Sequence, residues 1–221
     1  MLAFLPVSFC PATYAPKKTV ILPTESSREI RPASVLLSLR NSLITTHQTI
    51  MKKSVYTLRI SLQGIEPEIW RTCQLAGYSS FGELHEIIQL IMGWNNLHPF
   101  RFTVKDTVLF DNPSVKEIDG RKAVDSDDLN LDEIVAIGDE FLYEYKNLEW
   151  KHRIEVTAVV QDADIAEPVC TGGEYCCPQD GSTVAKYVKK LALMPPAELA
   201  ATKLVDLEDI NDFLHECHDL G

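Results

Sequence analysis

The stretch "EPVCTGGEYCCPQDGS" carries Cys170, Cys176 and Cys177 in one glycine-containing segment. Thiolates completed by an imidazole are the ligand set of structural zinc, and His152, His215 or His218 is the histidine such a site would draw on. The arm Cys-x5-Cys-Cys lacks the tight Cys-x2-Cys knuckle, so zinc stands as an alternative reading and not the leading one. A second group offers guanidinium, imidazole and indole side chains: Arg71, His85, Trp94, His98, Trp150 and His152. Converging from separate elements, these would make a pocket or an interaction surface. Asp125, Asp127 and Asp128 do not form a calcium loop, because the glycine at the sixth position and the closing glutamate are not where that geometry needs them. No P-loop, nucleophile elbow or zincin motif occurs, and no catalytic residue is assigned.

The elements that must position these groups are legible from periodicity. From Tyr56 the pattern alternates strictly, with Tyr56, Leu58, Ile60 and Leu62 on one face and Thr57, Arg59, Ser61 and Gln63 on the other, which is a half-buried strand. "GIEPE" supplies a turn and "IWRTCQL" a second strand, in which Arg71 shares a face with Ile69, Cys73 and Leu75. On a core face, Arg71 needs a carboxylate partner or an exit to solvent. Ser80 and Glu83 have capping-box spacing ahead of the stripe Leu84, Ile87, Ile88, Ile91 and Met92, and Gly93 is placed to end that helix with Trp94 folding back as its anchor. Trp70, Leu84, Ile88, Ile91 and Trp94 are expected in one core cluster. His85 reads as a helix-flank histidine bonded to a neighbouring element, and His98 stands at the entry to the strand "PFRFTV".

The segment "DNPSVKEIDGRKAVDSDDLN" reads as an acidic surface loop, followed by one helical turn in "LNLDEIV". "EFLYEY" and "WKHRIEVTAVV" are two more strands, and His152 falls on the apolar face of the second, which makes a satisfied core histidine the default. The region from Cys170 to Gly181 reads as a loop. Two helices follow, one carrying Val184, Tyr187, Val188 and Leu191 and stopping at Pro195 and Pro196, the other carrying Leu207, Ile210, Leu214 and Cys217.

Residues 1–50 differ in kind. They hold five prolines, lack sustained periodicity and make a poor secretory signal, so they are expected to be a disordered arm or an over-extended gene start, with Met51 as the true initiator and the folded domain spanning 51–221. Of 21 basic and 32 acidic residues, five and two lie in this arm. The body therefore holds 16 against 30, a formal charge near -14, which argues against direct nucleic-acid binding. No apolar run approaches the roughly 18 residues of a membrane span, and six dispersed cysteines suit reduced thiols in a cytoplasm.

"YTLRISLQGIEPEIWR", "LHEIIQLIMGW", "FLYEY", "WKH" and the cysteines ahead of "CP" together resemble the family named after the third open reading frame of a root-inducing (Ri) plasmid, also labelled as the TnpR-type passenger protein of an insertion element. The resemblance runs from about Tyr56 to Leu214 and implies a compact α+β domain tied to plasmids and mobile elements. Two departures stand out. Family members commonly read Tyr-Asp-Phe-Gly-Asp-x-Trp-x-His where this chain has "YKNLEWKH", and Cys-Pro-Pro-Glu-Asp-Cys where it has "CCPQDGS".

The fold expected is α+β: a single compact domain with an antiparallel sheet, the 80–93 helix packed across it, and C-terminal helices. The leading functional reading is a non-enzymatic accessory protein of a mobile element that acts through another protein. A zinc-stabilised module is the first alternative. The second is a recombinase, since Tyr56, Arg59 and Ser61 approximate the Tyr-x-Arg-x-Ser of serine recombinases, with the tyrosine one residue too far back and no basic tail.

Overall fold

A computed structural model describes residues 53–111 and 113–218, the His218 side chain excepted; the expected arm of residues 1–50 lies outside them. Alternation builds the first strands as read. In β1 (Ser54–Leu62), Tyr56, Leu58, Ile60 and Leu62 are buried, while Thr57 and Arg59 stay half-exposed. β2 (Trp70–Ala76) pairs antiparallel with it, Leu58 opposite Cys73 and Ile60 opposite Arg71. Trp70 does not join the core. It precedes Arg71 by one residue, so strand parity turns it to the outer face, where the Arg59 guanidinium lies 4.9 Å from its ring centroid.

Helix α1 (Phe81–Met92) starts on the capping box: Ser80 Oγ accepts from the Glu83 N–H at 3.1 Å, and Glu83 Oε2 accepts from the Ser80 N–H at 2.9 Å. It ends where Gly93 adopts φ +70°, which lets the Gly93 and Trp94 amides donate to the carbonyls of Leu90 and Gln89 at 3.0 and 2.8 Å. Leu84, Ile88 and Ile91 are completely buried in the core this helix shares with the sheet.

The remaining elements are β3 (Phe100–Val104), β4 (Thr107–Phe110), β5 (Glu117–Ile118), β6 (Arg121–Asp125), α2 (Leu131–Ile134), β7 (Glu140–Tyr145), β8 (Trp150–Gln161), β9 (Val169–Glu174), α3 (Val184–Leu193), α4 (Pro196–Ala201) and α5 (Leu207–His218). The nine strands form one sheet in the order β5-β6-β4-β3-β7-β8-β1-β2-β9. The α+β class holds. All pairings are antiparallel except β4 with β6, which run parallel.

That exception lies in the segment expected to be loop. Asp119 and Gly120 take φ of +51° and +75° and close a two-residue hairpin between β5 and β6, which brings β6 alongside β4. Two further expectations change. Cys170 sits in a strand, β9, opposite Cys73 of β2. Pro196 opens α4 instead of only closing α3, because a proline at the first helical position gives up an amide that has no partner in any case. Ile210 and Leu214 of α5 are buried, and between them Asn211 caps the free edge of β9: its Oδ1 accepts from the Cys170 N–H at 2.7 Å and its Nδ2 donates to the Cys170 carbonyl at 3.0 Å.

Candidate functional site

Four of the six singled-out side chains meet under the C-terminal end of α1. His85 is buried and its ring stacks on Phe100 with centroids 3.7 Å apart. Gln89 Nε2 donates to Tyr143 Oη at 2.8 Å, so the Tyr143 hydroxyl donates onward to His85 Nδ1, also at 2.8 Å. His85 Nε2 then carries the proton and donates to Asn96 Oδ1 at 2.6 Å, while the Asn96 amide donates to Gln89 Oε1 at 3.1 Å. The four residues close a ring that pins Asn96 in its left-handed conformation, φ +51°. Burial holds the Tyr143 hydroxyl well above its usual range. The expected hydrogen-bonded histidine is realised, with Gln89, one turn after His85 on the same face, as its unforeseen partner.

Trp94 does anchor the helix end. Its indole donates to the Pro178 carbonyl at 2.8 Å, stacks on Tyr145 at 5.2 Å and presents an edge to His152 at 5.3 Å. Trp150, also buried, leans against it at 5.9 Å and donates to the Ser182 carbonyl at 3.3 Å. His98 is half-buried at the rim, edge-on to Tyr145. Burial, with the Asp180 charge nearby, pushes the Tyr145 hydroxyl up to about 12.

His152 departs from expectation. It is fully buried, yet neither ring nitrogen meets a hydrogen-bond partner. Desolvation depresses it to about 3; the Tyr143 backbone opposes that shift slightly without reaching hydrogen-bond geometry. This imidazole is therefore neutral throughout the physiological range and not a proton shuttle. The cause is register: His152 lies opposite Tyr143 on the inner face, whose hydroxyl is already committed to His85. Asp180, which the sequence reading passed over, is buried too. Its Oδ2 accepts from the Asn95 amide at 3.1 Å, while Oδ1 has no partner among the described residues.

Arg71 is buried without the expected carboxylate, and none of the ion pairs among the described residues includes it. Its guanidinium donates to the carbonyls of Ile91 (3.2 Å), Trp70 (2.7 Å) and Glu174 (3.1 Å) and to Cys177 Sγ (3.3 Å). It thus ties α1, β2, β9 and the following loop together. Gly173 makes this possible, since a Cβ there would stand 2.7 Å from Arg71 Cδ and 3.0 Å from the Trp70 carbonyl.

The cysteines do not share one point. Cys170 is buried in β9, Cys176 is exposed, and Cys177 lies 3.2 Å from Met92 Sδ beside Arg71. Burial raises the thiols of Cys73, Cys170 and Cys177, so they stay protonated and unreactive near neutrality. Among the described residues no three His, Cys, Asp or Glu side chains come together as one metal ion would require. His215 bonds Glu167 at 2.7 Å. The recombinase-like residues are likewise occupied: Tyr56 donates to the Val135 carbonyl, and Arg59 makes a two-pronged bond to Glu68.

Residues 54–213 match the plasmid pRiA4b ORF-3-like proteins. The chain belongs to that family. The uncharacterized protein y4hQ of Sinorhizobium fredii (strain NBRC 101917 / NGR234) is 28% identical over 139 residues, covering 59% of this chain and 68% of the relative. The crystal structure of a protein of unknown function from Methanosarcina mazei Go1 shares the fold, with a TM-score of 0.61 at 23% identity over 71% of this chain and 96% of the other. Among the described residues no helix is long and apolar enough to cross a membrane.

Proposed function

We propose that this family member is a non-enzymatic accessory domain of a plasmid or mobile element, working in the cytoplasm through contact with another protein. One observation carries the reading. Helices α3 and α4 contribute no buried residue, and Val188, Leu193 and Leu204 stand 43%, 74% and 83% exposed within this short stretch. Single exposed apolar residues are ordinary, but a helical layer that buries nothing completely while presenting several of them suits a surface awaiting a partner. The His85 imidazole, the Trp94 and Trp150 indoles and the Arg71 guanidinium favour the same reading, since their hydrogen bonds go to neighbouring side chains or to the backbone. The five described cysteines are unpaired, which suits a reducing compartment.

A photo-crosslinking residue introduced at Leu193 in the full chain, expressed in its host, tests this. A discrete adduct with one other protein is expected from Leu193 and not from Thr157 on the outer sheet face. No adduct, or the same adducts from both positions, would overturn the reading.

A further inference from the structure

The inference rests on the interaction reading and names the partner's chemistry. α3 runs for 10 residues, about 15 Å. Its body-facing side is Val184, Tyr187 and Leu191, each partly buried against the core. On the outer side, Lys186, Lys189, Lys190 and Leu193 follow helical spacing as one stripe, and Ala185, Val188 and Ala192 form the stripe beside it. All three lysines are exposed, and none takes part in an ion pair found among the described residues. In a body of 16 basic and 30 acidic residues, three unpaired cations beside exposed apolar side chains form a local exception.

We propose that this face docks a short acidic segment of a partner protein, with apolar side chains seated on Val188, Ala192 and Leu193 and carboxylates placed against Lys186, Lys189 and Lys190. Size selects the occupant. Charges interact over about 8 Å at physiological salt, so a segment no longer than α3 meets its three lysines and, at the helix start, the Glu149 carboxylate that accepts from the Val184 amide at 3.0 Å, but not the whole of the acidic body. A nucleic-acid duplex or an anionic bilayer extends past the patch and brings its phosphates against that body. The apolar stripe is part of the recognition, because exposed lysine–carboxylate pairs contribute little on their own.

The test is fluorescence anisotropy of the full chain with a labelled synthetic peptide of glutamate and leucine, leucines at helical spacing, at low and at physiological salt. A lysine–leucine peptide, a DNA duplex and phosphatidylserine vesicles form the comparison arms. The acidic peptide is expected to bind more tightly than the other three, and the combined Lys186→Glu, Lys189→Glu and Lys190→Glu variant to weaken it by at least about tenfold. Val188→Glu alone is expected to weaken it as well. The substituted side chains are exposed, and circular dichroism checks that the variants stay folded. Preference for the duplex or the vesicles, no binding, or binding indifferent to the lysine changes would overturn the proposal. If the Leu193 adduct forms while the acidic peptide fails, the interaction reading stands and the acidic partner falls; if both fail, both fall.

Discussion

Helices α1 and α3 are written in the same code and meet opposite fates. Each begins on a side-chain cap, Ser80 in one and Thr183 in the other, and each carries apolar residues at helical spacing. Yet α1 buries eight of its residues, whereas α3 buries none. The difference is in what lies opposite. α1 spans the inner face of a nine-stranded sheet and shares one core with its Leu58, Ile60, Phe102 and Tyr143 side chains, to which α5 adds Ile210 and Leu214, while α3 meets a loop and packs only partly buried side chains against that core. Periodicity decides that a helix forms and which side is apolar; the surface available to it decides how much of that side is lost from water.

Five measurements sharpen or break this contrast. The largest effect is expected at Ile88, where truncation to Ala leaves a void among completely buried side chains and costs roughly 2–5 kcal/mol in urea unfolding. A near-neutral result would move α1 into the same class as α3. Within the covered region the two histidines should behave differently. His85→Leu strips an acceptor from the Tyr143 hydroxyl and a donor from Asn96, at a cost of about 1–3 kcal/mol.

His152→Leu removes an imidazole with no partners and is expected to be neutral or mildly stabilising at pH 7. Its signature is acid dependence. The native state resists a proton that the unfolded chain accepts near pH 6.5, so the wild-type stability contributed here is complete above that pH and falls as pH drops toward 3. Between pH 7 and 5 the wild type should lose roughly 2 kcal/mol that the Leu variant retains. Equal slopes in the two proteins would mean that His152 is hydrated or bonded in solution. The smallest effects belong to the uncovered region. Val188→Ala should change stability by less than about 0.5 kcal/mol, and dialysis against a chelator should leave the melting temperature where it was. Stoichiometric zinc on elemental analysis, with loss of stability on chelation, would restore a metal role to Cys170, Cys176 and Cys177.

The sequence by itself determines the local elements and the family. Strict alternation from Tyr56 to Leu62, the Ser80–Glu83 pair and Gly93 each act over a few residues, so β1, β2 and α1 are legible where they stand. The family match spans residues 54–213, which hold the Ile-Trp-Arg and Leu-His…Met-Gly-Trp segments of the resemblance. The Asp119-Gly120 pair is a hairpin signal that a surface-loop reading of this segment misses, because its polar flanks hide the short strands on either side. Only the tertiary structure decided who pairs with whom. Gln89 and Asn96 complete His85, Asn211 completes the β9 edge, and Gly173 is glycine because Arg71 passes over it, all through contacts set by register and crossing elements. The same holds for what is left unpaired. His152 lacks hydrogen-bond partners because Tyr143 opposite it is committed elsewhere, and α3 keeps an open face because α1 and α5 fill the core beside it: burial and hydrogen bonding are shared among distant segments, and no single segment encodes its share.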